Sequence, residues 1–448
     1  MYQKKYIKKM ESKKKEEQIQ KNEEKKIKTD IAQEKTEAKV LEIFEKLGFN
    51  TKSSKEYKGE AKFYSDIHYK AYSSFFDGLG PENWIFENKY PLLLYFVIND
   101  ILMLKDHCEI DYELKIKIVE FLKDFQHEDG GFRGSPKGEA EIVSTYAGVM
   151  AIVNLGIPEA YDIIDIPKMK NYLLRLKNNI FEKKESTSFD KNGKFLIDIE
   201  KKDGKTLYHT AYPGSFQTYV NGGSDLQAIY RALIVASILN LINFDDIEND
   251  PITKGVVEHI KNSQNYEGGL GPEPFCEAHA GFTYCGVASL VLLKKLNVLD
   301  VNALLRFLVN RQMTKEGGFN GRTNKLVDCC YSYWAGCVFN LLAMSDKKYY
   351  FENELLYDQL SLQAYILLAC QNVEFGGLRD KPGCFSDLTH SNFGTVGLMS
   401  SQECLTENQN VVLNPELAKA FVYVNPVYGI PQDKLEKALR YYSEKKIN

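Results

Sequence analysis

Between Glu316 and Trp334 the chain reads E-G-G-F-N-G-R-T-N-K-L-V-D-C-C-Y-S-Y-W, which places Arg322, Lys325, Asp328 and Cys330 within nine residues of one another. Two cations in a loop before a helix suit an anion, because the free amides at a helix N-terminus favour negative charge as well. A carboxylate and a thiol two residues apart are metal-ligand types. A thiol is a weak nucleophile near neutral pH unless a metal deprotonates it, and a catalytic site for that purpose needs three protein ligands and an open position. Residues i and i+2 do not share a helix face. Asp328 is therefore expected in the loop or at the cap, and Cys330 just inside the helix. Taken alone, a D-x-C pair is weak, and a buried core thiol is the commoner reading.

Glycine turns of the same plan recur along the chain. Gln126–Gly134, Tyr212–Phe216, Gln264–Gly271, Gln312–Gly321 and Gln371–Leu378 each combine small residues with an apolar ring or a leucine. With Gly131, Ser215, Gly269, Gly318 and Gly377 as markers, the steps are 84, 54, 49 and 59 residues. The long first step holds the polar stretch 177–210, which reads as an inserted surface loop; without it the step matches the others. A period of roughly 50 residues with two helical patterns per unit predicts stacked helical hairpins. Runs such as Ala228–Leu241 and Tyr333–Met344 carry almost no charge and should be buried on most sides. No region alternates as a strand would. The class is all-α, either an open solenoid or a closed ring.

The 448 residues are 44% hydrophobic, ample for a large core, and the net charge of −4 gives no basic field for nucleic acid. No uncharged apolar run reaches the roughly 18 residues of a transmembrane helix. Residues 1–35 hold twelve lysines against six glutamates and one aspartate, and are expected to form a solvated, disordered tail; 36–448 is expected to be one domain. The tail has no apolar segment of a secretory signal, and nine cysteines at irregular spacing suit a reducing, cytoplasmic setting.

The turns Q-x-x-x-G-G-[FL] with D-x-C-Y-S-x-W resemble the β subunits of protein prenyltransferases, with the farnesyltransferases the nearer match. Further ordered motifs extend the resemblance over about Glu37 to Tyr442: E-A-H-x-G-F-T-Y-C-G, G-R-x-N-K-L-V-D, G-G-L-x-D-K-P-G and N-P-V-Y. It implies an α/α toroid of about six hairpins, an obligate α subunit, and transfer of a farnesyl group from farnesyl diphosphate to the cysteine of C-terminal CaaX motifs, as on small GTPases. It implies Zn²⁺ held by Asp328, Cys330 and His390, and Mg²⁺ brought by Asp380. His279, Arg322, Lys325 and Tyr331 correspond to residues holding the diphosphate. Trp334, Phe282, Tyr230 and Cys285 correspond to positions framing the isoprenoid. Cys329 should point elsewhere, and Asp387 should be structural.

The chain departs from the farnesyltransferase pattern at Leu92 and Phe96, where tryptophans are usual, and at Thr389, Gln227, Glu141 and Ser144 around the peptide end. A leucine at 92 leaves room for a 20-carbon chain, so a geranylgeranyltransferase type I β subunit or a dual-specificity enzyme is the alternative; Asp380 favours farnesyl. A terpene cyclase would need an aspartate-rich metal segment, and the only one, Asp245–Asp250, reads as a solvated loop. A non-catalytic scaffold has no use for the six polar site residues together.

Overall fold

The computed structural model describes residues 27–78, 88–178, 188–189, 195–202, 205–405 and 411–445. Six apolar inner helices are α3 (Tyr90–Met103), α5 (Ile142–Leu155), α7 (Leu226–Ile238), α9 (Ala280–Leu292), α11 (Cys337–Ser345, entered by a π-turn at Ser332–Gly336) and α13 (Leu388–Ser400). Each packs on the next, and α13 returns to α3, so the hairpins close into a ring. Helices that are apolar on all sides have no face for water, and closure gives each one two inner neighbours. The all-α toroid is observed. The repeat spacing left an open solenoid or a closed ring, and the closed toroid that the resemblance implied is the one observed.

The outer helices are amphipathic. In α10 (Val301–Val309), Leu304, Phe307 and Leu308 are buried and Asp300 caps Ala303 N–H. In α6 (Ile166–Leu176), Asp165 caps Lys168 N–H.

The repeated glutamines bind one hairpin to the following one. Gln264 donates to Asp300 O and accepts from Asp300 N–H, each at 2.9 Å. Gln312 does the same to Asp358, the cap of α12 (Gln359–Ala364). Gln371, the last of the series, donates to Lys62 O and accepts from Tyr64 N–H, next to α2 (Ser65–Ser73) near the chain's beginning. The glycines of these turns are required by close approach. A Cβ on Gly268 would stand 2.0 Å from Ala303 O, and one on Gly317 2.4 Å from Ser361 O. Both residues also have positive φ.

Two boundaries differ from expectation. Helix α1 (Lys28–Lys46) crosses residue 35, with Thr36, Val40 and Phe44 buried, so the expected tail overlaps a packed helix; residues 1–26 lie outside the described residues. The surface loop expected over 177–210 contains an antiparallel sheet, β1 (Ser188–Phe189), β2 (Phe195–Lys202) and β3 (Lys205–Ala211), with a register shift between Asp198 and Glu200. The alternation of I-D-I-E in β2 and the strand-forming Thr and Tyr of β3 are the strand signal that was legible there. In the acidic stretch, Asp250 is buried and not solvated: its carboxylate accepts from the N–H groups of Asn243, Ile252 and Thr253.

The C-terminal segment Asn425–Gly429 closes one end of the ring. Tyr230 and Tyr284 donate to Val427 O at 2.8 Å and Pro426 O at 2.7 Å, and Asn99 donates to Gly429 O at 3.0 Å. Beyond it, α14 (Gln432–Glu444) packs on α5 and α7. Among the described residues no helix is long and apolar enough to cross a membrane.

Candidate active site at the mouth of the ring

The D-x-C turn is built by its own backbone. Asp328 N–H donates to Phe319 O at 3.0 Å, and Asp328 Oδ1 accepts from Cys330 N–H at 2.8 Å, the local bond that Asp makes readily in turns. Cys330 lies in this turn, one residue before the helical run starts at Tyr331, and not inside the helix as expected. His390 reaches the turn from the first turn of α13. Asp387 caps that helix, accepting from His390 N–H at 2.9 Å, and its other oxygen lies 2.5 Å from His390 Nδ1. That contact leaves Nε2 free of Asp387 and 3.3 Å from Asp328 Oδ1.

The ligand atoms of Asp328, Cys330 and His390 all lie within 4.8 Å of one another, and among the described residues they are the only such group of three. Burial resists the charge on Asp328, yet bonds from His390 and Cys330 hold its carboxyl below the usual range. Burial also opposes charge on His390, and Asp328 and Asp387 outweigh it, raising the imidazole to about 10. Burial, then Asp328, Asp380 and Asp387, push the Cys330 thiol well up. A carboxylate, a thiol and an imidazole among three acidic groups form a nest that a divalent cation fits, since a dication reverses this thiol's bias toward its neutral form. Asp387 behind the histidine is the supporting partner that metal-bound histidines usually have. The structural role expected of Asp387 is seen in its cap of α13; its contact with His390 Nδ1 was not singled out, and its place three residues before His390 was the available signal.

Asp380 flanks this nest. Its carbonyl accepts from Cys329 N–H and from the Tyr365 hydroxyl, each at 2.9 Å, and its carboxylate pairs with Lys381. Burial, then Asp328, raises its carboxyl pKa. Cys329 points away, as expected, and is fully buried. A Cβ on Gly394 of α13 would stand 2.7 Å from its sulfur.

On the other side, His279 caps α9, its Nδ1 accepting from Gly281 N–H at 3.0 Å. Nε2 therefore carries the proton of the neutral ring and lies 3.1 Å from the Tyr331 hydroxyl. Burial, then the Arg322 charge, lowers the His279 pKa, so a neutral donor is the favoured form. Arg322 Nη1 pairs with Glu277 at 2.7 Å, a partner the sequence reading did not single out. Lys325 is exposed at the loop's edge; Asn320 holds its carbonyl at 3.0 Å, and its ammonium has no partner among the described residues.

Between these two groups a cavity of about 230 Å³ descends into the ring. Leu92, Phe96, Gln227, Tyr230, Cys285, Trp334 and Thr389 line it, seven of the positions singled out from sequence. Phe282 does not line it; its ring packs 5.5 Å from His279. Arg231, one turn below Gln227, donates to Gln227 Oε1 at 3.1 Å. At Glu141 and Ser144 the hydroxyl donates to the carboxylate at 2.6 Å.

An aromatic belt circles the cavity: Tyr95, Tyr146, Tyr230, Tyr284 and Tyr333 follow one another at centroid distances of 5.8, 6.0, 5.6 and 4.4 Å. Phe393 and Phe96 complete the circuit. One ring or more comes from each inner helix or its entering turn, so the belt is a product of closure and an apolar wall of low polarity.

The family model for the prenyltransferase α-α toroid domain matches residues 63–430. The protein farnesyltransferase subunit β of Saccharomyces cerevisiae is 31% identical, with 90% of this chain and 84% of that protein covered. The subunit of the same name from Arabidopsis thaliana is 28% identical, with 81% and 79% covered. A solved structure of Candida albicans protein geranylgeranyltransferase-I, complexed with GGPP, superposes with a TM-score of 0.64 at 20% identity, covering 86% of this chain and all of that one. That likeness supports the ring architecture.

Proposed function

The chain belongs to the prenyltransferase α-α toroid family, and on that premise we propose that it is the catalytic β subunit of a zinc-dependent protein farnesyltransferase. The observation that carries the reading is the convergence of Asp328, Cys330 and His390 at the mouth of an aromatic-lined cavity. The partners in this reading are a helical α subunit, farnesyl diphosphate and proteins ending in a CaaX motif, small GTPases among them.

Asp328, Cys330 and His390 would hold Zn²⁺, with Asp387 fixing the imidazole. Bound there, the ion would supply Lewis acidity that keeps the acceptor cysteine a thiolate near neutral pH. The hydrocarbon of the donor lies in the cavity against Tyr230, Cys285, Trp334 and Phe96. Its diphosphate sits at the mouth, where His279 Nε2–H, the Tyr331 hydroxyl and Arg322 converge and the α9 N-terminus adds a favourable dipole. Lys325 reaches it from the loop edge. The acceptor sulfur forms its bond to C1 as the C1–O bond breaks; diphosphate leaves with the electron pair, and the thiol proton goes to solvent. Donors aimed at oxygens that gain charge lower the barrier more than they aid binding. Asp380, the carboxylate of the flanking turn that pairs with Lys381, would bring Mg²⁺ to the leaving group, and the cation's charge would offset the burial that disfavours its ionised form.

The test is competitive transfer by the chain co-expressed with its α subunit, with farnesyl and geranylgeranyl diphosphate supplied together to CaaX peptides ending in Ser, Met, Gln, Leu and Phe. Farnesyl preference is the expected result. A geranylgeranyl preference would move the assignment to the type I enzyme, the reading favoured by Leu92. No transfer from either donor would overturn both.

A further inference from the structure

Among the described residues that line the central cavity, Arg231 alone carries a charge. It is half-buried beside Tyr146, Tyr230 and Cys285, close enough for its charge to act on the Tyr146 hydroxyl and the Cys285 thiol. Its Nη2 donates to Gln227 Oε1 at 3.1 Å, and among the described residues it makes no ion pair. Asp225, the acid nearest in sequence, is engaged in capping α7, accepting from Ala228 N–H at 2.7 Å. A guanidinium that gives up water beside aromatic walls, with one neutral partner, is unfavourable until an anion joins it. Most of its fork of N–H donors is left for that anion.

The place of Arg231 in the ring says where such an anion would come from. Helix α7 is the third inner helix and α13 the sixth, so closure sets Arg231 across the ring from the helix that carries His390. An acceptor cysteine held at Asp328, Cys330 and His390 has three residues left to its C-terminus, which in extended form span about 10 Å. Neighbouring inner helices packed at about 8–10 Å put opposed axes about 16–20 Å apart, and their own side chains reduce the free gap to about 10 Å or less. The last residue of the tail therefore arrives at α7. Gln227, one turn nearer the mouth, has an amide N–H₂ with no partner among the described residues, which suits the main-chain carboxylate. The guanidinium beneath it is left for the side chain of that last residue.

We propose that Arg231 is a specificity-determining residue for the acceptor, selecting CaaX tails whose last residue carries a side-chain carboxylate, aspartate or glutamate. The inference rests on the prenyl-transfer reading above and deepens it. A carboxylate there removes the uncompensated charge from the cavity, whereas an amide of the same shape leaves it in place.

The test uses the heterodimer with farnesyl diphosphate, and kcat/KM is measured for peptides that differ only in a last residue of Glu, Gln or Lys. Wild type should favour Glu over Gln by about tenfold, the scale of a hydrogen bond to a charged group. Arg231→Gln should bring that ratio to about one. Arg231→Glu should reverse the order and favour the Lys tail over the Glu tail, a rescue that lost packing would not produce. A wild type without preference for Glu would overturn the inference. So would an Arg231→Gln loss shared equally by all three tails, since the guanidinium would then read the main-chain carboxylate common to them. A wild-type complex that transfers to the Ser, Met, Gln, Leu and Phe peptides but shows neither effect keeps the underlying reading and loses this inference; one that transfers to no tail overturns the reading itself.

Discussion

His390 and Asp387 form a pair in which one carboxylate both caps the helix and holds the ring: Oδ1 accepts from the backbone N–H at 2.9 Å, and Oδ2 meets Nδ1 at 2.5 Å. The geometry directs Nε2 toward Asp328 and Cys330. Asp387→Asn can keep the cap, because Asn caps about as well as Asp, but weakens the acceptor for Nδ1. Zinc affinity should fall by about 10- to 100-fold, read by competition with a chelator, with little change in thermal stability. Unchanged zinc affinity would show that the pair merely builds the helix end.

Arg322 and Lys325 separate by environment. Arg322 stands beside His279 and is oriented by Glu277, whereas Lys325 is exposed. Arg322→Ala should raise the donor KM by about tenfold or more, given about 1.5–3 kcal/mol for hydrogen bonds to charged groups. Lys325→Ala should cost less in KM, and its deficit relative to wild type should shrink with added salt, because exposed charges are screened. Steady-state kinetics at two ionic strengths decide this, and equal effects would mean that Lys325 folds onto the diphosphate.

Asp380→Ala should remove most of the Mg²⁺ stimulation of transfer while zinc stays bound. Metal titrations of the variant check it. A full Mg²⁺ response would place that ion on other groups.

A pH dependence of stability follows from two buried bases away from the site. Lys177 donates to Gly214 O and Ile252 O at 3.1 and 2.9 Å, and burial pushes its pKa down to about 7. Burial and the Lys177 charge push His259 down to about 3. In both cases the unfolded chain binds the proton more readily, so stability rises with pH: across about 3 to 6.5 for His259 and about 7 to 10.5 for Lys177. Each slope is at most about 1.4 kcal/mol per pH unit. Denaturation over the upper window should be flatter in Lys177→Met, and over the lower one in His259→Phe. Slopes equal to wild type would mean that these groups take up protons in the fold.

Much of this was legible because the ring repeats. The glutamine of each turn and the uncharged inner helices are local signals, and each marks one hairpin. Closure was legible only through the family resemblance, since the contact of α13 with α3 joins segments nearly 300 residues apart and no spacing encodes it. The aromatic belt has the same origin: no local pattern sets Tyr95 and Tyr146 apart, and only the ring links them to Tyr230. Asp328, Cys330 and His390 could be named through family motifs, but their approach to within 4.8 Å depends on two turns meeting. The missed partners, Asp387 and Glu277, are acids adjacent to named residues whose roles depend on side-chain direction. The 177–210 stretch misled through its charge, which concealed the short alternating run of β2 and the strand-forming residues of β3.

Zinc content and transfer, measured together on the heterodimer for wild type and Cys330→Ala, bear most directly on the central claim. Wild type should carry one zinc per heterodimer and lose transfer on chelation, recovering it when zinc is restored. Cys330→Ala should lose both the metal and the transfer while binding farnesyl diphosphate as wild type does. A full zinc complement in Cys330→Ala, or transfer undiminished in the metal-stripped wild type, would contradict the account.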